Sequence, residues 1–131
     1  MTALAVPRHN LNVLTHDIIG SAIEVHRCVG PGLLESIYLE FSCHELRMRN
    51  IVFDREVPLP LRYQGLVLDH SYRLDLLVGG CIVVELKSVE KLLPIHEGQL
   101  LTYLKVKRLP LGLLLNFNLP SLQSGIVRIA N

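Results

Sequence analysis

Leu111–Phe117 constrains the fold more than any other stretch of the chain. Read as a β-strand it is apolar on both faces, with Leu113, Leu115 and Phe117 on one side and Leu114 on the other. A strand of this kind sits at the centre of a sheet that is covered on both sides. The rest of the chain must therefore supply layers above and below it. With 131 residues, half of them hydrophobic and 19% charged, there is material for the generous core of one domain, and disorder is excluded.

The covering layers are legible as helices. From Asn12 to Val29, Leu14, Ile18, Ala22, Val25 and Val29 recur at helical spacing. Asn12 or Thr15 is expected to cap that helix, and Gly30-Pro31-Gly32 to end it. A second helix, about 33–50, is expected to bury Leu34, Ile37, Tyr38, Phe41 and Leu46. Pro94 opens a third, running to about Arg108, with Leu100, Leu101 and Leu104 towards the core and His96, Gln99, Tyr103 and Lys107 on a polar stripe. Strands are expected at 51–57, 60–63, 66–68, 71–78, 81–87, 111–117 and 125–130, with turns at Gln64-Gly65 and Gly79-Gly80. This order gives an α/β (α+β) domain around a mixed sheet. Residues 1–11 are expected to form a loosely ordered N-terminal segment.

Several function classes drop out. The longest uncharged stretch, from Leu109 up to Arg128, is interrupted by Pro110, Asn116, Asn118, Pro120 and Gly125, so it is no membrane span. Only Arg8 precedes the first apolar run, which argues against a signal peptide. Cys28, Cys43 and Cys81 are odd in number and far apart, which argues against a disulfide framework and a structural zinc site; buried free thiols in a reducing cytoplasm are expected. Thirteen basic residues against twelve acidic exclude a globally basic nucleic-acid binder. Yet no acidic residue follows Glu97, so Lys105, Lys107, Arg108 and Arg128 stand unbalanced and could form a local phosphate-binding patch.

Three charges lie inside apolar strands. Asp75 sits in Leu74–Val78, and Glu85 and Lys87 close Ile82–Lys87. Such burial is costly unless the charges are paired or bound to metal. Register decides whether they meet. A two-residue turn at Gly79-Gly80 would put Asp75 and Glu85 on opposite faces, whereas a three-residue loop through Cys81, pairing Val78 with Ile82, sets them opposite one another on one face. The longer loop, or a bulge near the site, is expected. Converging carboxylates make a hard-oxygen site for Mg²⁺ or Mn²⁺, with Lys87 placed to orient a water or neutralise a phosphate. A cross-strand Asp–Lys or Glu–Lys salt bridge explains the same spacing.

Asp75 followed by Glu85-Leu86-Lys87 at a strand end resembles the D…E-x-K core of the PD-(D/E)xK nuclease superfamily. The wider chain resembles its GxxExxY family, through Gly32-Leu33-Leu34-Glu35-Ser36-Ile37-Tyr38 after Val25-His26-Arg27 and Gly30-Pro31. Tyr72–Asp75, Val84–Lys87, Gln99–Lys105 and Gly112–Phe117 are also similar. Leu74 stands where the superfamily's name has proline, a position that varies widely. The resemblance implies a restriction-endonuclease-like three-layer domain and a Mg²⁺- or Mn²⁺-dependent nuclease, DNA being favoured. It implies metal binding by Asp75, Glu85 and the Leu86 carbonyl, with Lys87 positioning water and Glu35 assisting metal or water. Gln99 and Tyr103 match the Q-x-x-x-Y element of RecB-type nucleases and would order the site.

Other readings stay open. Glu35 also suits the positive end of a helix dipole, and His26 suits a helix C-terminus. Tyr38, Tyr63, Tyr72 and Tyr103 are too scattered in sequence to form a stacking platform. A nuclease-fold binding module with little turnover, acting as a homodimer or in a larger assembly, competes with the enzyme.

Overall fold

The computed structural model describes residues 10–131. Residues 1–9, most of the segment expected to be loosely ordered, lie outside the described residues, and Leu11 already opens a helix. Helix α1 (Leu11–Val29) and helix α2 (Glu35–Met48) are followed by strands β1 (Phe53–Tyr63), β2 (Leu66–Val78) and β3 (Ile82–Lys87). Helix α3 (Pro94–Lys107), strand β4 (Leu111–Asn116), a short 3₁₀ turn and strand β5 (Ile126–Ala130) complete the order. The strands form one five-stranded sheet in sequence order, parallel between β3 and β4 and antiparallel elsewhere.

The layers are those the Leu111–Phe117 run demands. On one face, Ile18, Ala22 and Val25 of α1 and Tyr38, Leu39, Cys43 and Leu46 of α2 pack on Leu76, Val84, Leu86, Leu113 and Leu115. On the other, Leu100, Tyr103 and Leu104 of α3 pack on Leu59, Leu77, Val83 and Leu114. This α+β, three-layer arrangement is consistent with a restriction-endonuclease-like fold. Gly112 sets the approach of α3, because a Cβ there would meet the Leu100 side chain at 2.8–3.0 Å.

Four expectations need correction. The strands expected at 51–57 and 60–63 are one strand, and so are those at 66–68 and 71–78, joined by Gln64 and Gly65 at φ 45° and 86°. Pro58 and Pro60 are tolerated because β1 is an edge strand, where a missing N–H costs no ladder bond. The pairing shifts between Leu59 and Leu61, leaving Asp69–Ser71 as a bulge. On α2 the buried stripe is Tyr38, Leu39, Ser42, Cys43 and Leu46, while Leu34, Ile37 and Phe41 are exposed. The buried stripe lies one residue, about 100°, round the helix from the expected one. On α1 neither Asn12 nor Thr15 caps: Thr15 Oγ1 donates back to the Leu11 carbonyl at 2.7 Å, and Asn12 Oδ1 accepts from Arg128. Cys43 and Cys81 are buried and free as expected; Cys28 is exposed.

Candidate active site

The loop between β2 and β3 takes the longer form. Gly79 and Gly80, at φ 61° and 69°, carry the reversal, and Val78 pairs with Ile82. That register leads to Asp75 opposite Glu85, but the ladder stops one pair earlier, at Leu76 and Val84. On its other side β2 passes from the Arg55–Leu76 pair to Val57–Leu74 without pairing Asp75, opposite Glu56 at φ 52°. Backbone pairing is thus interrupted on both sides of Asp75.

The carboxylates bridge the gap. The Asp75 N–H donates to Glu85 Oε1 at 3.0 Å, and the Leu86 N–H donates to Asp75 Oδ2 at 2.9 Å. Burial pushes the Glu85 carboxyl up to about 8, with the Asp75 charge adding to the shift. Asp75 is raised as well, chiefly by burial, against the pull of the Leu86 N–H and Lys87. The metal-free pair therefore holds a proton that two separate acids would have released.

Lys87 is the cation these acids share. It is half-buried at the end of β3, and its charge lowers the pKa of Asp75, Glu85 and Glu35 alike. Glu35 reaches the group because Ser88 ties the end of β3 to the start of α2. The Ser88 N–H bonds Glu35, and its hydroxyl donates to the Leu33 carbonyl at 2.7 Å. Burial raises Glu35, and Asp75 adds to the rise.

The spacing of the GxxExxY signature now has a physical reading. Gly30 and Gly32 adopt positive φ, 70° and 98°, to turn the chain between helices. Tyr38, fully buried and stacked on Phe117 at 4.6 Å, donates its hydroxyl to the Gly30 carbonyl at 2.6 Å and accepts the Leu33 N–H at 3.2 Å. It holds the turn that delivers Glu35. His26 has the structural role: Nε2 lies 2.7 Å from the Leu119 carbonyl.

From α3, Tyr103 faces the carboxylates. Burial, followed by the charges of Glu85, Tyr72 and Asp75, pushes its phenol up to about 12, so it remains a hydrogen-bond donor at every physiological pH. Gln99 is half-buried and lines an adjacent cleft with Tyr103. His96 faces the helix start, where Nδ1 accepts the Leu93 N–H at 3.0 Å. Lys105 and Arg108 stand apart, lining a concavity with Pro110 and Asn131 at the far end of the helix. Lys107 is half-buried and does not line it.

Residues that sequence reasoning passed over complete the site. Asn116, fully buried at the end of β4, donates from Nδ2 to the Val89 carbonyl at 2.9 Å, and Oδ1 accepts the N–H groups of Val89 and Asn118. Beside it, the Phe117 N–H donates to the Lys87 carbonyl at 2.8 Å. Together they pin the segment that leaves Lys87. The signal available was a lone amide in an otherwise apolar run, which is costly to bury without such partners.

The donor set suits a hard divalent cation in part. Asp75, half-buried, and Glu85, buried, offer two adjacent carboxylates whose shared proton a cation would displace. Among the described residues no three His, Cys, Asp or Glu side chains cluster as a ready metal site. The Leu86 N–H donates to Asp75, which fixes that carboxylate beside Glu85. No described helix is long and apolar enough to cross a membrane. A family model described as the PD-(D/E)XK nuclease superfamily matches residues 12–129. No curated protein and no solved structure gives a significant match.

Proposed function

The chain belongs to the PD-(D/E)XK nuclease superfamily, and from that premise we propose that it hydrolyses phosphodiester bonds with Mg²⁺ or Mn²⁺, DNA being the favoured substrate. The narrower GxxExxY assignment is part of the same reading. The observation that carries it is the interrupted ladder at Asp75, where one half-buried and one buried carboxylate stand in place of a backbone pair beside a shared lysine. Nothing in the packing requires acids there, and apolar side chains would close the strands at lower cost.

In this reading Asp75 and Glu85 hold the cation, with the Leu86 carbonyl beside them. The cation supplies charge stabilisation at the phosphoryl oxygens. Lys87 orients a water for in-line attack and offsets phosphate charge, and Glu35 orients that water from the opposite helix. Tyr103 donates a hydrogen bond into the site, and Gln99 orders its rim. Lys105, Lys107 and Arg108 meet the phosphate backbone at a distance, so affinity is modest and salt-sensitive.

A second reading, a nuclease-fold binding module with little turnover that acts as a homo-oligomer, draws on the lack of a three-ligand cluster among the described residues. Incubation with DNA and Mn²⁺, with Lys87→Ala and Glu85→Ala as controls, separates the two. Cleavage by the wild-type protein alone supports the enzyme. Cleavage that survives both substitutions, or none at all, refutes the assignment.

A further inference from the structure

The β1–β2 hairpin extends beyond the part of the sheet that α3 covers. Residues 66–73 are all exposed, and on β2 the α3-side core ends at Leu74, while β1 carries it on to Leu59. Between this arm and the first turns of α3 lies an open cleft of about 440 Å³, within the usual size range of ligand sites. Leu61 and Tyr72 form the hairpin wall, and Ile95, Gln99 and Thr102 form the helix wall. Tyr103 belongs to both the cleft and the carboxylate site, so whatever occupies the cleft borders Asp75 and Glu85.

We propose that this cleft receives an unpaired nucleobase, so that the substrate class is single-stranded nucleic acid; the proposal rests on the phosphodiesterase reading above. Tyr72 pairs with Leu59 in the register that the hairpin keeps from Phe53–Val78, just before the bulge at Asp69–Ser71, and its ring lies 5.7 Å from that of Tyr103, tilted at 56°. Tyr72 is 40% exposed and lines the cleft. None of the lining residues is charged, so the cleft does not recognise phosphate. It offers what a base needs instead: an aromatic face, apolar walls, an amide on Gln99 with donor and acceptor, and a Thr102 hydroxyl whose own proton is given to the Gly98 carbonyl at 2.9 Å. A closed duplex keeps its base faces stacked internally and cannot fill such a space. Gly98 leaves the helix wall open, since a Cβ there meets nothing within 4 Å.

The test uses matched DNA and RNA oligonucleotides carrying 2-aminopurine, as single strands and as duplexes, titrated with protein in Ca²⁺. Wild type and Tyr72→Phe are expected to quench the single strands saturably. Tyr72→Ala weakens that binding about 5- to 150-fold, the loss of one stacked base. Gly98→Leu, which fills the cleft from a helix position with room for a side chain, weakens it comparably while the far-UV circular dichroism is unchanged. Whether DNA or RNA is quenched more identifies the natural strand, and either result supports the cleft. No saturable quenching by wild type, equal binding of duplex, or indifference to both Tyr72→Ala and Gly98→Leu overturns the proposal. A parallel Mn²⁺ incubation separates the two readings. Quenching without cleavage keeps the cleft and refutes hydrolysis; cleavage insensitive to Tyr72→Ala and Gly98→Leu keeps hydrolysis and refutes the cleft.

Discussion

Asn116→Ala removes three hydrogen bonds from a fully buried position: Nδ2 to the Val89 carbonyl at 2.9 Å, and Oδ1 from the Val89 and Asn118 N–H groups at 3.1 and 3.2 Å. At about 1 kcal/mol net for each bond, the loss is about 3 kcal/mol. With an m-value of about 2 kcal/mol/M, the urea midpoint falls by about 1.5 M. Urea unfolding followed by circular dichroism reads this directly. Asn116→Asp sharpens the test. Its carboxylate keeps the acceptors but sets a negative oxygen against the Val89 carbonyl, so at pH 7 it is less stable than the alanine variant. Protonation restores a donor towards Val89, so the aspartate variant recovers relative to alanine as the pH falls from 7 towards about 4, the ordinary aspartate value, where the recovery is complete. Alanine at wild-type stability, or an aspartate variant indifferent to pH, would show that the clasp does not hold the segment after Lys87.

Two further outcomes follow from the same geometry. Glu85 rises from 4.5 to about 8 on folding, so in EDTA its stabilising, protonated form is fully favoured below pH 4.5 and is lost as pH climbs towards 8. Glu85→Gln keeps the acceptor for the Asp75 N–H, and in urea unfolding its advantage over wild type grows across that window to on the order of 4 kcal/mol; a constant difference refutes the buried proton. Tyr38→Phe keeps the ring stacked on Phe117 but frees the Gly30 carbonyl and Leu33 N–H, which lowers stability by about 2 kcal/mol and speeds amide exchange at Leu33. Unchanged exchange at Leu33 would separate Tyr38 from the turn that presents Glu35.

What could be read from the sequence follows the strength of the local physics. The doubly apolar Leu111–Phe117 run admitted only a covered central strand, and Leu113, Leu114 and Leu115 are buried from alternate sides. The three-residue loop at Gly79-Gly80-Cys81 followed from the cost of leaving Asp75 and Glu85 on separate faces, and Val78 pairs with Ile82. Tertiary context decided the rest. Pro58 and Pro60 break a central strand but not an edge one, so the hairpin proved longer than its local pattern. The α2 stripe is set by how the helix docks on α1 and the sheet, one residue round from the face its apolar pattern suggests, which leaves Phe41 exposed. Tyr72 and Tyr103, far apart in sequence, meet because α3 packs over Leu59, the partner of Tyr72 in the hairpin. Such a contact between distant elements has no local signature.

Isothermal titration of Mn²⁺ into the metal-free protein at pH 7, repeated in buffers of different ionisation enthalpy, tests most directly whether the Asp75–Glu85 pair is a cation site. The account predicts one bound ion per chain, release of up to one proton from the pair, and no binding by Asp75→Asn or Glu85→Gln. Binding that persists in both variants, or no binding to wild type, would contradict it.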